Sequence, residues 1–177
     1  MAMPRPVPAP VPGSMADAGR ARHDGPPPAT EAEVWALLSG VSDPEIPVLS
    51  VTDLGIVRDV ALCDGTCRVA ITPTYSGCPA TSVIAFAVDA ALRDAGLDPV
   101  IETRIDPPWT TDWMTETGRA KLLAYGIAPP SPADGPEACP QCGSADVARV
   151  SNHGSTPCKA QWRCAACGEP FDYFKCH

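Results

Sequence analysis

Basic residues are scarce in this chain, and no long apolar run occurs. Its 177 residues hold 13 Lys or Arg against 21 Asp or Glu, a formal net charge of −8. Binding to a nucleic-acid backbone needs clustered Lys and Arg that release condensed counterions, and no such cluster is present. No stretch approaches the ~20 apolar residues of a membrane-spanning helix. Residues 1–12 alternate proline with small residues and lack the apolar centre of a secretory signal. A reducing cytoplasm is therefore the expected location. Histidine is also rare: of three, His23, His153 and His177, none falls between residues 30 and 127. General acid–base catalysis then has few candidates. There is no Ser-His-Asp arrangement and no glycine pattern of a phosphate-binding loop. Aromatic residues make up only 6 %.

What the chain does have is sulfur and proline, with nine Cys and 22 Pro. Cys139-Pro140-Gln141-Cys142-Gly143 and Cys164-Ala165-Ala166-Cys167-Gly168 form a CxxC…CxxC pair with 21 residues between the halves. In a reducing compartment this spacing favours metal over disulfide. Each CxxC-G is a tight knuckle that turns two sulfurs toward one ion, with glycine where a Cβ would clash. The pattern predicts a zinc ribbon over 139–177 with Cys139, Cys142, Cys164 and Cys167 as ligands. Four cysteines leave zinc no open position, so the expected role is structural. Iron, alone or in a cluster, also suits four thiolates. So does a set that mixes Cys158 or Cys176 with one CxxC pair.

Residues 1–29 read as a disordered tail, with alternating prolines followed by Gly25-Pro26-Pro27-Pro28. Thr30 and Glu33 then form a capping box for a helix carrying Val34, Leu37, Leu38 and Val41, which Asp43-Pro44 is expected to end. Residues 55–62 and 68–72 read as strands around an Asp64-Gly65 turn. Cys63 and Cys67 flank that turn as ordinary strand neighbours. A helix over 79–95, with Pro79 at its first position, is expected to bury Val83, Ile84, Ala87, Val88, Ala91 and Leu92. A third strand spans 100–105, and a third helix over 116–125 is capped by Thr115. The order α-β-β-α-β-α predicts an α+β domain over 30–127 with one mixed sheet and helices on a face. Residues 128–138 read as a linker.

Cys78 stands just before the amide-rich start of the second helix, where a thiolate is stabilised. Read from position alone, it is either a reactive thiol or labile metal ligand, or a buried cysteine packed as a small hydrophobe. Asp43-Pro44-Glu45 is by itself a turn with solvated carboxylates. However, Asp43-Pro44-Glu45-Ile46-Pro47, Val51-Thr52-Asp53-Leu54-Gly55-Ile56-Val57 and Thr74-Tyr75-Ser76-Gly77-Cys78-Pro79 occur in the order found in the MIP18 (DUF59) family, which this chain resembles over about residues 30–126. The resemblance implies a role in iron–sulfur cluster assembly or delivery, with Cys78 as the key thiol and Thr74, Asp43 and Glu45 near it. Gly154-Ser155-Thr156-Pro157-Cys158-Lys159-Ala160 and the segment Glu169–His177 are similar to the cysteine-rich end of the PaaD family. That likeness implies a link to the multicomponent phenylacetyl-CoA epoxygenase of phenylacetate catabolism.

Taken together, these readings predict a non-enzymatic maturation factor with structural zinc and a transient Fe–S cluster. Its expected partners are the epoxygenase subunits, especially the Fe–S reductase, with a homodimer as a further candidate. Neither nucleic acid nor membrane is expected. The alternatives are a non-catalytic structural subunit of the oxygenase, or a thiol redox protein. The redox reading uses Cys158 and Cys176, which face each other if Cys164 pairs with Pro170 across a hairpin.

Overall fold

The structure is a computed structural model that describes residues 26–133 and 135–175. The expected tail before residue 26, Cys176 and His177 lie outside the described residues. The first helix, α1 (Glu31–Leu38), starts at the capping box: Thr30 accepts from the Glu33 amide, and the Glu33 carboxylate accepts from the Thr30 amide at 3.0 Å. It ends earlier than Asp43-Pro44 suggested. Ser39 caps it, and Gly40 turns the chain by donating to the Leu37 carbonyl at 3.0 Å. Asp43 begins a separate turn.

A hairpin of β1 (Val57–Cys63) and β2 (Thr66–Ile71) follows. Asp64 (φ 48°) and Gly65 (φ 82°) both take the left-handed conformation of a type I′ turn. Leu62 faces Cys67 and Cys63 faces Thr66, so the two hairpin cysteines are not opposed. The helix α2 (Thr81–Asp94) then carries the chain to β3 (Asp98–Thr103), which pairs parallel to β2. The sheet order is β1-β2-β3. Pro99 is tolerated because β3 is an edge strand.

The second helix starts two residues later than expected, at Thr81 with Ala80 as its cap rather than at Pro79. Its buried stripe, Ile84, Val88 and Leu92, is narrower than the sequence suggested. Val83 is 51 % exposed and its neighbour Phe86 69 %. The third helix, α3 (Glu116–Ala124), is capped by Thr115, whose hydroxyl accepts the Gly118 amide at 2.9 Å. It packs close to the loop before β1. Gly55, at φ +65°, leaves room there for the Trp113 backbone.

Of the expected linker, Ala128 already belongs to the next sheet. Ile127–Ala128 form β4, which pairs parallel to β7 (Pro170–Phe174). With β5 (Val147–Ser151) and β6 (Lys159–Cys164) the order is β4-β7-β6-β5. Ser131 is buried and its hydroxyl donates to the Gly135 carbonyl at 2.8 Å.

This second sheet packs on the first domain. Phe174 and Cys158 belong to the same buried cluster as Val34, Leu54 and Ile84. The Phe174 ring lies 6.1 Å from that of Trp109, whose indole N–H donates to the Leu54 carbonyl at 2.9 Å.

Candidate functional site

Two sulfur-bearing sites emerge, built in different ways. In the ribbon, the two knuckles have matching turns. The Gly143 amide donates to the Cys139 carbonyl and the Gly168 amide to the Cys164 carbonyl, both at 2.9 Å. Both glycines have positive φ, +75° and +80°, which a β-carbon would disfavour. The Sγ atoms of Cys139 and Cys167 are 3.8 Å apart, and those of Cys142 and Cys164 are 3.6 Å apart. All four sulfurs lie within 4.8 Å of one another.

A tetrahedron with Zn–S bonds of ~2.3 Å has edges of about 3.8 Å, so this donor set fits one zinc ion. A disulfide would bring its sulfurs to ~2.05 Å. A multi-iron cluster would spread the thiolates over several irons and hold them further apart. Without a cation the four sulfurs compete for charge. Amide hydrogen bonding, led by Cys167, holds Cys164 down to about 7. The Ser144 amide acts in the same direction on Cys142, but hydrogen bonds with the other sulfurs, together with burial, push that thiol up to about 12. A divalent metal removes this competition. A zinc held this way is closed to substrate, and its chemistry is to hold the fold.

The second site lies where the ribbon meets the first domain. A cavity of about 10 Å³ is bordered by Asp43, Glu45, Thr74, Cys78, Cys158 and Phe174. These residues arrive from several local structures. Asp43 is buried in the turn after α1, where its Oδ1 accepts the amides of Glu45 at 2.9 Å and Ile46 at 2.7 Å. Glu45 stands on that same turn. Thr74 is buried in the loop after β2.

Cys78 occupies the turn before α2. Its amide donates to the Tyr75 carbonyl at 3.1 Å, and its carbonyl accepts the Thr81 amide at 3.2 Å and the Thr81 hydroxyl at 2.9 Å. The start of the helix thus contacts the backbone of Cys78 rather than its sulfur. The half-buried side chain of Cys78 lies on the cavity wall.

Sequence reasoning missed the fifth polar member, Cys158, as part of this site. Its buried Sγ lies 3.9 Å from Glu45 Oε2 and 3.0 Å from the Thr156 hydroxyl. The register places it there. Arg163, not Cys164, pairs with Pro170, and Lys159 pairs with Phe174. The knuckle uses Cys164 itself, whose amide donates to the Glu169 carbonyl at 3.0 Å. The hairpin is therefore one residue out of the register that would oppose positions 158 and 176. The Cys158 carbonyl accepts from the Lys175 amide at 3.0 Å instead. His153 is exposed on the ribbon and does not border the cavity.

The cavity is crowded with acidic and sulfur groups. Burial pushes the Asp43 carboxyl up, partly offset by its two amide hydrogen bonds and by Lys159. Burial first and the Asp43 charge second push Glu45 up. Burial likewise raises the Cys158 thiol, with Glu45 and Asp43 adding to it. The Tyr75 hydroxyl is buried without a partner of hydrogen-bond geometry. Burial raises it too, followed by the charge of Cys78. The nearby cation is Lys159, itself buried and 3.5 Å from Asp172. Of the larger hollows, one of about 440 Å³ shares Glu45 with this cavity and one of about 370 Å³ lies by the first knuckle; neither includes Cys78.

Comparison with known proteins matches the two halves separately. Residues 31–102 match the model of an iron–sulfur cluster assembly protein, and residues 130–175 match that of the PaaD zinc beta ribbon domain. An Escherichia coli K12 relative, named as one subunit of a "Putative 1,2-phenylacetyl-CoA epoxidase", is 50 % identical over 81 % of this chain and 92 % of its own length. A Porphyromonas gingivalis protein named "Fe-S protein maturation auxiliary factor" is 35 % identical over 52 % of this chain and 90 % of its own. Among solved structures, a DUF59 domain from Bacillus anthracis is similar at 26 % identity and a TM-score of 0.49, covering 52 % of this chain and 90 % of that one. Among the described residues, no helix is long and apolar enough to cross a membrane. An iron–sulfur assembly domain thus precedes a four-cysteine ribbon, with half of the aligned positions shared with a relative across nearly its whole length; the chain belongs to the PaaD family.

Proposed function

We propose that this chain is an accessory protein for iron–sulfur cluster assembly or delivery, maturing a multicomponent phenylacetyl-CoA epoxygenase rather than performing the oxygenation. One observation carries the reading. Cys78, Thr74, Asp43 and Glu45, drawn from separate stretches of an iron–sulfur assembly domain, border a single cavity. In this reading Cys78 grips the cargo. Asp43 holds the acidic turn in shape through its two amides, and Glu45 supplies a carboxylate beside the thiol. A cluster needs more thiolates than one cysteine offers, so further ligands come from a second protomer or from the recipient. The recipient is the Fe–S reductase of the epoxygenase, and loading takes place in the cytoplasm. The assembly domain covers 30–127, and the ribbon from 139 stays structural with zinc in Cys139, Cys142, Cys164 and Cys167.

The test is Cys78→Ser in cells that make the epoxygenase, with iron and sulfide counted in the purified reductase. Expected is a reductase depleted of cluster while this protein keeps its zinc and its melting temperature. Full cluster content would refute the assigned role of Cys78. The E. coli relative's designation as an epoxidase subunit favours a second reading, a stoichiometric non-catalytic component of the oxygenase. It predicts that the chain co-purifies with active oxygenase and that Cys78 is dispensable. A redox couple of Cys158 with Cys176 has less support, because the Cys158 sulfur is directed to Glu45.

A further inference from the structure

We propose that Cys158, contributed by the ribbon, joins Cys78 and the Glu45 carboxylate as a ligand for a single thiophilic divalent cation, with iron(II) as the natural occupant. The inference rests on the reading of Cys78 as the metal-handling thiol, and extends it from one residue to a site shared by both domains.

Position is the first argument. Cys158 and Glu45 are 113 residues apart in sequence, yet sulfur and carboxylate stand at 3.9 Å inside the molecule. Both border the cavity that Cys78 borders. Docking of the ribbon on the first domain brings them together, with Phe174, on the strand opposite Cys158, almost wholly buried there.

Size is the second argument. A cavity of about 10 Å³ is near the least that holds one water-sized particle, ~10–15 Å³. It has no room for a cluster, but a lone cation held by the surrounding side chains is within its scale. In this closed arrangement the site would take iron before it is built into a cluster, and a whole cluster would require the ribbon to lift.

Donor chemistry is the third argument. Two thiolates and a carboxylate suit iron(II), cobalt(II) or zinc far better than magnesium or calcium. Thiol protons lost on binding go to solvent as the cation enters, and no electron moves.

The set is wider than the ribbon's. Among the described residues only the four knuckle sulfurs form a group of three or more donors within 4.8 Å. Binding must therefore draw Cys78 inward. Its hydrogen bonds to Tyr75 and Thr81 are made by backbone atoms, which leaves the half-buried side chain to turn about χ1.

The test uses the full chain with zinc in its ribbon, titrated anaerobically with Co²⁺. Zinc stands above cobalt in affinity for such sites, so the ribbon should keep its zinc, which is followed throughout by elemental analysis. Expected is one additional cobalt per chain with sulfur-to-cobalt charge-transfer absorption. Cys158→Ser and Cys158→Ala should each weaken that binding about tenfold or more and reduce the absorption, with ribbon zinc retained. An unchanged isotherm and spectrum in both variants overturns the inference. The Cys78 reading then still stands if Cys78→Ser depletes the reductase of cluster. Conversely, loss of cobalt in the Cys158 variants with full cluster loading in Cys78→Ser sustains the cation site and overturns the maturation role. Should both Cys158 variants lose zinc or fail to fold, Glu45→Gln takes their place, and unchanged cobalt affinity in that variant overturns the inference.

Discussion

The two sulfur sites of this molecule differ in how much of each is built by neighbours in sequence. In the ribbon, each knuckle is complete within five residues, and two of them suffice to bring four sulfurs within 4.8 Å of one another, with two pairs at 3.6 and 3.8 Å. At Cys78 the donors come from separate loops and a strand end, and they stand further apart. A site made of local motifs is rigid and closed. One made by docking can open, and its donors remain short of a full coordination shell. The first suits a permanent ion and the second a cargo that must leave.

The sharpest way to break this contrast is to remove one ribbon ligand. Cys164 is wholly buried and begins the second knuckle. Cys164→Ser should release the ribbon zinc and unfold β5–β7, since metal binding in such modules supplies on the order of 10 kcal/mol of folding free energy. Zinc content and hydrogen exchange of the 139–175 amides check this. Protection that survives the loss of zinc would mean the ribbon sheet stands on its own packing. Cys78→Ser, by contrast, should leave the melting temperature nearly unchanged, because its sulfur anchors no part of the sheet.

A smaller effect is expected where the two sites are joined. Phe174→Ala removes a ring packed between Trp109 and the first domain's core, at a cost of about 3–5 kcal/mol. It leaves the knuckles intact. Ribbon zinc should therefore be retained while Cys158 becomes reactive to an added thiol reagent. If Cys158 stays protected, the docking of the ribbon does not depend on Phe174, and the composite site is more rigid than argued.

The same division explains what could be read from the sequence. The Thr30–Glu33 capping box, the Asp64-Gly65 turn, the Thr115 cap and both knuckles are local, and each appears in the structure where the residues indicated. The end of α1 falls earlier than Asp43-Pro44 implies because Ser39-Gly40 stops the helix first, and Asp43 is used in its own turn. Val83 sits at helical spacing among buried residues, yet it faces outward because α2 packs along a single row, Ile84-Val88-Leu92. The strand at Ile127–Ala128 is too short to leave a period in a proline-rich stretch. Cys158 carries no local mark of its place, since contact with Glu45 depends on how one domain lies on another and on a register set by a single residue of the Cys164 knuckle.

The smallest effect separates two aspartates of one segment. Asp43 is buried beside other acids and its carboxyl is raised. Asp53 is equally buried, and burial alone would raise it as well. Its Oδ2, however, accepts from the Lys121 ammonium at 2.6 Å and from the Ser50 amide at 2.9 Å, and these hold it below the usual carboxylate range. Because its folded value is depressed, the stability it contributes is fully present above the unfolded value of ~3.9 and is lost as pH falls through the lower folded value. Asp53→Asn should therefore lower stability at neutral pH by about 1–3 kcal/mol and flatten the acid limb of the stability curve. Cobalt binding at Cys78 and Cys158 should not change, because Asp53 ties α3 to the loop before β1 and does not border the cavity. Asp43→Asn should do the reverse. Its side-chain oxygen can still accept both turn amides without a buried charge, so the fold should hold while cation affinity falls. Equal losses of stability in the two variants would show that Asp43 is a structural residue like Asp53, and the acidic turn would no longer mark a site.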